Sequence, residues 1–189
     1  MKRRIFVAIT LPEIVRNFMG AYQSNHKDVP ARWTAIENLH ITVAFIGDVD
    51  DSALPSLCEV VKGIAEKHEQ FVVRLSNIGY DSADIIPPRM IWAFGEGSGE
   101  FALLCDSLLA GLSSFMSDFI KNEKREPIPH ITLARIKGLE WRRIEPDERP
   151  EVGEFVDIEI PVNSIQVMES VLKKQGPEYK ILESYKLSK

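Results

Sequence analysis

The sequence predicts an α+β fold in which helices pack against largely antiparallel sheets, and three observations carry that prediction. Segments whose apolar residues recur at every second position alternate with segments in which they recur every third or fourth. The C-terminal part strings strand-like segments together with no helix between them, as antiparallel neighbours do. The strand–helix–strand pattern then restarts after Pro87-Pro88, as in a duplicated lobe.

Arg4–Thr10 is apolar and β-rich and reads as the first strand. Pro12 stands where a helix can begin, its missing N–H harmless in the first turn. Ile14, Val15, Phe18, Met19 and Tyr22 then follow at helical spacing over about residues 12–24, and the polar run Ser24–Pro30 ends that helix. Along Leu39–Ile46, strand alternation sends Leu39, Ile41, Val43 and Phe45 to one side and His40, Thr42, Ala44 and Ile46 to the other. Gly47-Asp48 closes this strand. A helix over about 52–69 buries Leu54, Leu57, Cys58, Val61, Ile64 and Ala65, and Phe71–Leu75 is a strand. Asn77–Pro88 is dense in turn formers and reads as the connection between halves. Met90–Phe94 is the next strand, about 100–120 a long helix ending near Met116 and Phe119, and His130–Ile136 a further strand. Beyond the acidic loop Glu145–Pro150, Phe155–Ile160, Ser164–Met168 and Tyr179–Leu187 read as strands, with Lys173-Lys174 as a solvated turn.

Composition sets the outer bounds. At 189 residues, 44% of them hydrophobic, the chain can bury roughly 70% of its unfolded surface, which suffices for a conventional core and argues against disorder. No apolar run approaches the ~20 residues that span a bilayer, and the N-terminal apolar stretch is too short for a signal peptide. Two cysteines, Cys58 and Cys105, make neither a disulfide framework nor a four-ligand zinc site; they read as core thiols and point to a reducing cytoplasm. The net charge of −5 excludes a protein that holds long RNA across a broad basic surface. It leaves room for one that grips a terminal phosphate with a few local donors.

The chemistry lies in a repeat. His40-Ile41-Thr42-Val43-Ala44 and His130-Ile131-Thr132-Leu133-Ala134 differ only by a Val/Leu exchange, each follows a strand–helix unit, and the repeat uses two of the chain's four histidines. In an extended strand the His and Thr of each copy project from one face, about 7 Å apart, with the isoleucine between them facing a core. Imidazole holds either protonation state near neutrality, so two of them serve as base and acid in one reaction. Displacement at phosphorus suits such a pair: attacking and leaving oxygens lie in line, with charge on the oxygens between them. The threonine hydroxyls can donate to those oxygens, and Arg135 or Lys137 can supply a cation. Regular alternation, though, points Arg135 away from the His130 face unless the strand twists or bulges.

These residues resemble the paired His-x-Thr motifs of the 2H phosphoesterases, and their flanks narrow the resemblance to the RNA 2′,3′-cyclic phosphodiesterase family, also called the LigT or 2′-5′ RNA ligase family. It spans nearly the whole chain, from Arg4-Ile5-Phe6-Val7-Ala8 with Leu11-Pro12, through Trp33 and Glu37-Asn38-Leu39-His40-Ile41-Thr42 to Phe45-Ile46-Gly47-Asp48-Val49. It continues in Pro88-Arg89-Met90-Ile91-Trp92, Pro129 to Arg135, Ser170-Val171-Leu172 and Gly176-Pro177-Glu178-Tyr179. Val43 and Ile46 depart where leucine is commoner. The resemblance implies one bilobal domain over residues 1–189, with pseudo-symmetric lobes, one motif per lobe at 40–43 and 130–133, and the site in the cleft between them. It implies hydrolysis of the 2′,3′-cyclic phosphate at an RNA 3′ end, or of a small cyclic nucleotide, to a 2′-phosphomonoester, with no metal and no cofactor. His40 is then the proton donor and His130 the proton acceptor, with Thr42, Thr132 and Arg135 binding substrate; sequence symmetry alone does not make the acid and base assignment. A weak 2′-5′ ligase activity, a cytoplasmic monomer, no membrane and no obligate protein partner complete the expectation.

Two other classes stay open on the residues. One is a relative acting on another cyclic or 2′-5′-linked nucleotide; the other is a non-catalytic nucleotide- or RNA-binding module, which hydrolysis of a small 2′,3′-cyclic nucleotide would exclude. A lone histidine on a strand is more often a backbone-bonded structural group than a catalyst, and the pairing is what tips the balance. As zinc ligands the two histidines form an incomplete set, with Asp48 a poor third. Arg89 reads equally as an ion-pair partner, and His26 and His68 as surface residues. Trp33, Phe45, Trp92 and Tyr179 are expected in the core first and as base-stacking surfaces second.

Overall fold

The computed structural model describes residues 1–82, 85–116, 127–173 and 176–189. In chain order the elements are β1 (Lys2–Thr10), α1 (Glu13–Asn25), β2 (Ala31–Trp33), β3 (His40–Asp50), α2 (Leu54–Ala65), β4 (Phe71–Tyr80), β5 (Met90–Phe94), α3 (Gly99–Gly111), β6 (His130–Ile136), α4 (Gly138–Trp141), β7 (Glu154–Val162), β8 (Ser164–Lys173) and β9 (Gly176–Lys186). Pro55 sits in the first turn of α2. Ser98 caps α3 by accepting a hydrogen bond from the Phe101 amide at 3.1 Å.

All strand pairs are antiparallel, in the order β7-β4-β5-β6-β3-β1-β8-β9, with β2 added on β6. The two halves of this sheet meet at one residue pair, Ile41 with Ile131, so the two inner strands are the two motif strands. Their registers correspond: His40 faces Thr10 of β1 and His130 faces Phe94 of β5. The halves are also interlaced. β4 follows β3 in sequence but pairs with β5, while β8 crosses back to β1, so neither half of the sequence makes its half of the sheet alone.

Several bounds differ from expectation. β3 runs past Gly47-Asp48 to Asp50 because those residues keep partners in Lys2–Ile5. Asn77–Tyr80, expected in the connection, extends β4 against Ile91–Phe94. α3 stops at Gly111 before a single turn, Ser113–Phe115; residues 117–120 of the expected helix, Phe119 included, and Lys174 of the expected turn lie outside the described residues. On α1 the buried face is Val15, Met19, Tyr22 and Gln23, while Ile14 and Phe18 face outward.

The core runs along one face of the sheet, with Ile5, Val7 and Ile9 of β1, Ile41 and Ile131 of the motifs, and Leu57, Val61, Leu104 and Leu108 of the covering helices all essentially inaccessible. Burial of this kind is worth roughly 1.5–3 kcal/mol per large aliphatic side chain, and it is what fixes which face of each motif strand is left for chemistry. Gly95 marks the tightest crossing. An added Cβ there would stand 1.7 Å from the Arg74 carbonyl oxygen, and its amide bonds Pro129 O at 3.2 Å, one residue before His130. Gly95→Ala is therefore expected to destabilise the fold by about 1–3 kcal/mol, read as a fall of about 2–4 °C in Tm per kcal/mol in a thermal melt.

Candidate active site

Both motif strands break their alternation at the same place. Ala8 pairs with Thr42 and Val7 with Ala44, leaving Val43 as an extra residue; Trp92 pairs with Thr132 and Ile91 with Ala134, leaving Leu133 as its counterpart. Each is a β-bulge, which turns the side chains that follow it to the opposite face; on β3 a second extra residue, Ile46, reverses the alternation again. Val43-Ala44 and Leu133-Ala134 are accordingly buried side by side, and Phe45 and Arg135 emerge on the histidine side. The Leu133 bulge is anchored: its carbonyl accepts from the Thr34 amide at 2.9 Å and from the buried Gln23 side chain at 3.3 Å. Arg135 thus joins the face that plain alternation denied it, and Phe45, expected in the core, is 62% exposed.

The two imidazoles are held alike. His40 Nδ1 lies 2.7 Å from Asn38 O and His130 Nδ1 lies 2.9 Å from Ile128 O, each carbonyl two residues upstream. A carbonyl only accepts, so in both rings Nδ1 carries a hydrogen and Nε2 is left for the cleft. His40 Nε2 is 3.1 Å from Thr42 Oγ1. The rings are fixed by aromatic contacts: His40 packs 5.1 Å from both Phe6 and Tyr179, and His130 stacks on Trp92 at 4.1 Å. Burial holds His40 below the ordinary histidine range; the Asn38 carbonyl, which favours the cation, opposes this, and the nearby charge of His130 adds to it.

Around them lies a hollow of about 360 Å³ lined by His40, Thr42, His130, Thr132, Arg135, Asn38, Thr34, Phe6, Phe45, Met90, Tyr179, Arg4 and Ser170. All five expected site residues are brought together. Lys137 instead pairs with Glu140 at 3.2 Å, and Arg89 with Asp81 at 3.4 Å; neither lines the hollow. Asn38, Arg4 and Ser170 belong to the segments that carry the family resemblance and Thr34 to none of them; not one of the four was expected in the site. Asn38 does three things at once: its carbonyl orients His40, its Nδ2 donates to Pro177 O at 2.8 Å, and its Oδ1 accepts from the Tyr179 amide at 3.4 Å. That ties the β8–β9 hairpin to the first motif. Burial raises the Tyr179 hydroxyl pKa, and the charge of Arg135 partly offsets the rise. No carboxylate is among the described lining residues, and no group of three or more His, Cys, Asp or Glu forms a metal-binding cluster among the described residues. Cys58 and Cys105 are unbridged, and burial pushes the Cys105 thiol up to about 12. His68, expected at the surface, is half-buried with Nε2 3.0 Å from Ser107 Oγ. No described helix is long and apolar enough to cross a membrane.

Two interlaced sheet halves, each offering one His-x-Thr strand to a shared cation-bearing hollow, define the chain as a phosphoesterase of the two-histidine class. Comparison with known proteins narrows the class. Residues 9–92 match the family model for LigT-like phosphoesterases. An RNA 2′,3′-cyclic phosphodiesterase of Aeropyrum pernix is 34% identical over 159 residues, covering 83% of this chain and 86% of the relative. The protein of that name from Thermus thermophilus is 30% identical over 190 residues, covering 97% and 90%. The crystal structure of TT0787, also of Thermus thermophilus, superposes with a TM-score of 0.83 at 29% identity over 97% of both chains. The chain belongs to the LigT-like RNA 2′,3′-cyclic phosphodiesterase family.

Proposed function

We propose that this enzyme opens the 2′,3′-cyclic phosphate at RNA 3′ ends and leaves a 2′-phosphomonoester. The observation that supports it best is the matched pair of imidazoles, each tied through Nδ1 and facing one hollow through Nε2, beside Arg135. His130 Nε2 takes a proton from water as the water oxygen bonds to phosphorus. The bond from phosphorus to the 3′ oxygen breaks on the far side, and His40 Nε2–H protonates that oxygen. Thr42 and Thr132 donate to the non-bridging oxygens while Arg135 offsets their charge. Exchange with solvent then resets both rings. With a 5′ hydroxyl in place of water, the same step makes a 2′-5′ bond.

Burial biases His40 toward its neutral form, so the donor is armed by the substrate: an anionic phosphodiester alongside favours the imidazolium. No step calls for a metal ion, in keeping with a lining whose described residues include no carboxylate. The same reading takes residues 1–189 as one bilobal domain working as a cytoplasmic monomer.

The direct test is an RNA ending in a 2′,3′-cyclic phosphate, incubated with and without EDTA. A 2′-monophosphate in both is the expected product; a 3′-monophosphate, or loss in EDTA restored by zinc, overturns the reading. The pH dependence of kcat/KM is expected to be bell-shaped, its limbs belonging to the pair. Because His40 is pushed down, the acid limb should fall below the ordinary histidine value of about 6.5. A profile flat across neutrality contradicts the pairing.

A further inference from the structure

A second hollow, of about 260 Å³, opens from the first and shares Thr34, Asn38, Thr132, Arg135 and Tyr179 with it; its outer wall is Arg32, Trp33 and Gly176-Pro177. Arg32 of β2 and Arg135 of β6 are directly opposite residues of an antiparallel pair, so their side chains leave the same face of the sheet. An anion lodged between them would meet two guanidinium groups at once. The Arg32 guanidinium lies across Gly176, where a Cβ would stand 2.2 Å from Nη2, so the missing side chain at 176 is what lets the guanidinium rest at the mouth of the hollow. No carboxylate is among the described residues of its lining.

The place of this hollow along the substrate follows from the proton donor. If His40 protonates the 3′ oxygen, the terminal ribose lies on the His40 side, beside Asn38 and Tyr179, which are two of the five residues the hollows share. The next anionic group reached from that ribose is its 5′ phosphate. We infer that the second hollow is a subsite for the 5′ phosphate of the terminal nucleotide, the phosphodiester that joins it to the RNA body, with Arg32 as its main ligand. The inference rests on the reaction proposed above. It makes the enzyme prefer RNA ends to free cyclic nucleosides through one added ion contact, in keeping with a chain whose net charge is −5.

The experiment compares adenosine 2′,3′-cyclic phosphate with the same compound carrying a 5′ phosphate. The wild-type protein is expected to show a kcat/KM about tenfold higher on the 5′-phosphorylated substrate, as one charged hydrogen-bonded contact gives, and the advantage should shrink as salt is raised. Arg32→Gln should abolish most of that ratio, and Arg32→Lys, which keeps the charge without the planar fork, should retain part of it. Equal wild-type kcat/KM on the two substrates, or a full advantage surviving in Arg32→Gln, overturns the subsite. Wild-type protein inactive on both overturns instead the reaction on which the subsite rests.

Discussion

Alanine at His40 or His130 is expected to lower kcat by about 10²–10⁴-fold with little change in the melting temperature. Stability should survive because both imidazoles sit at the rim of the hollow, half-buried, while the packing of each motif strand is carried by Ile41 and Ile131, which are fully inaccessible. The two losses should not add. Acid and base act in one displacement, so the double variant should lose little more than the worse single one. The roles also separate by leaving group. A diester that expels a nitrophenolate needs no proton at the departing oxygen, so His40→Ala should recover much of its rate on such a substrate and His130→Ala should not. Recovery of His130→Ala alone would reverse the assignment, and near-normal hydrolysis of the cyclic phosphate by either variant would sink the two-histidine mechanism.

Where an apolar, strand-forming run is bounded by clear breaks, its extent was legible to the residue: β5 and β6 cover Met90–Phe94 and His130–Ile136 as read. That His40 and His130 belong together was legible because nearly the same pentapeptide occurs twice. The fate of Phe45 and Arg135 was not, because one inserted residue reverses the face of the residues that follow it. A signal was present. Val43-Ala44 and Leu133-Ala134 are consecutive apolar residues in the same place of both motifs, and two neighbours cannot both face a core in a regular strand. Interlacing of β4 and β8 left no local trace, since which strands pair depends on contacts far apart in sequence. For the same reason Tyr179 read as core: only when the β8–β9 hairpin is clasped by Asn38 does its ring meet His40.

The bulge at Leu133 puts Arg135 on the histidine side, and removing that side chain should have the second largest effect. Arg135→Ala is expected to cost about 10²–10³-fold in kcat, the loss seen when one preorganised donor to a developing oxyanion is removed. Of the two arginines among the described lining residues, Arg4 shares its charge with Asp48 at 3.7 Å, whereas Arg135 stands on the motif strand itself, three residues beyond Thr132. Its charge is also felt by the Tyr179 hydroxyl across the hollow. Because the phosphorus gathers negative charge on its equatorial oxygens only as the bonds change, the loss should fall mainly on kcat rather than KM. Lysine at 135 should restore part of the rate, holding the charge but not the two parallel donors of the guanidinium. An Arg135→Ala protein whose kcat stays within about threefold of wild type would mean that the threonines and imidazoles stabilise the transition state without it.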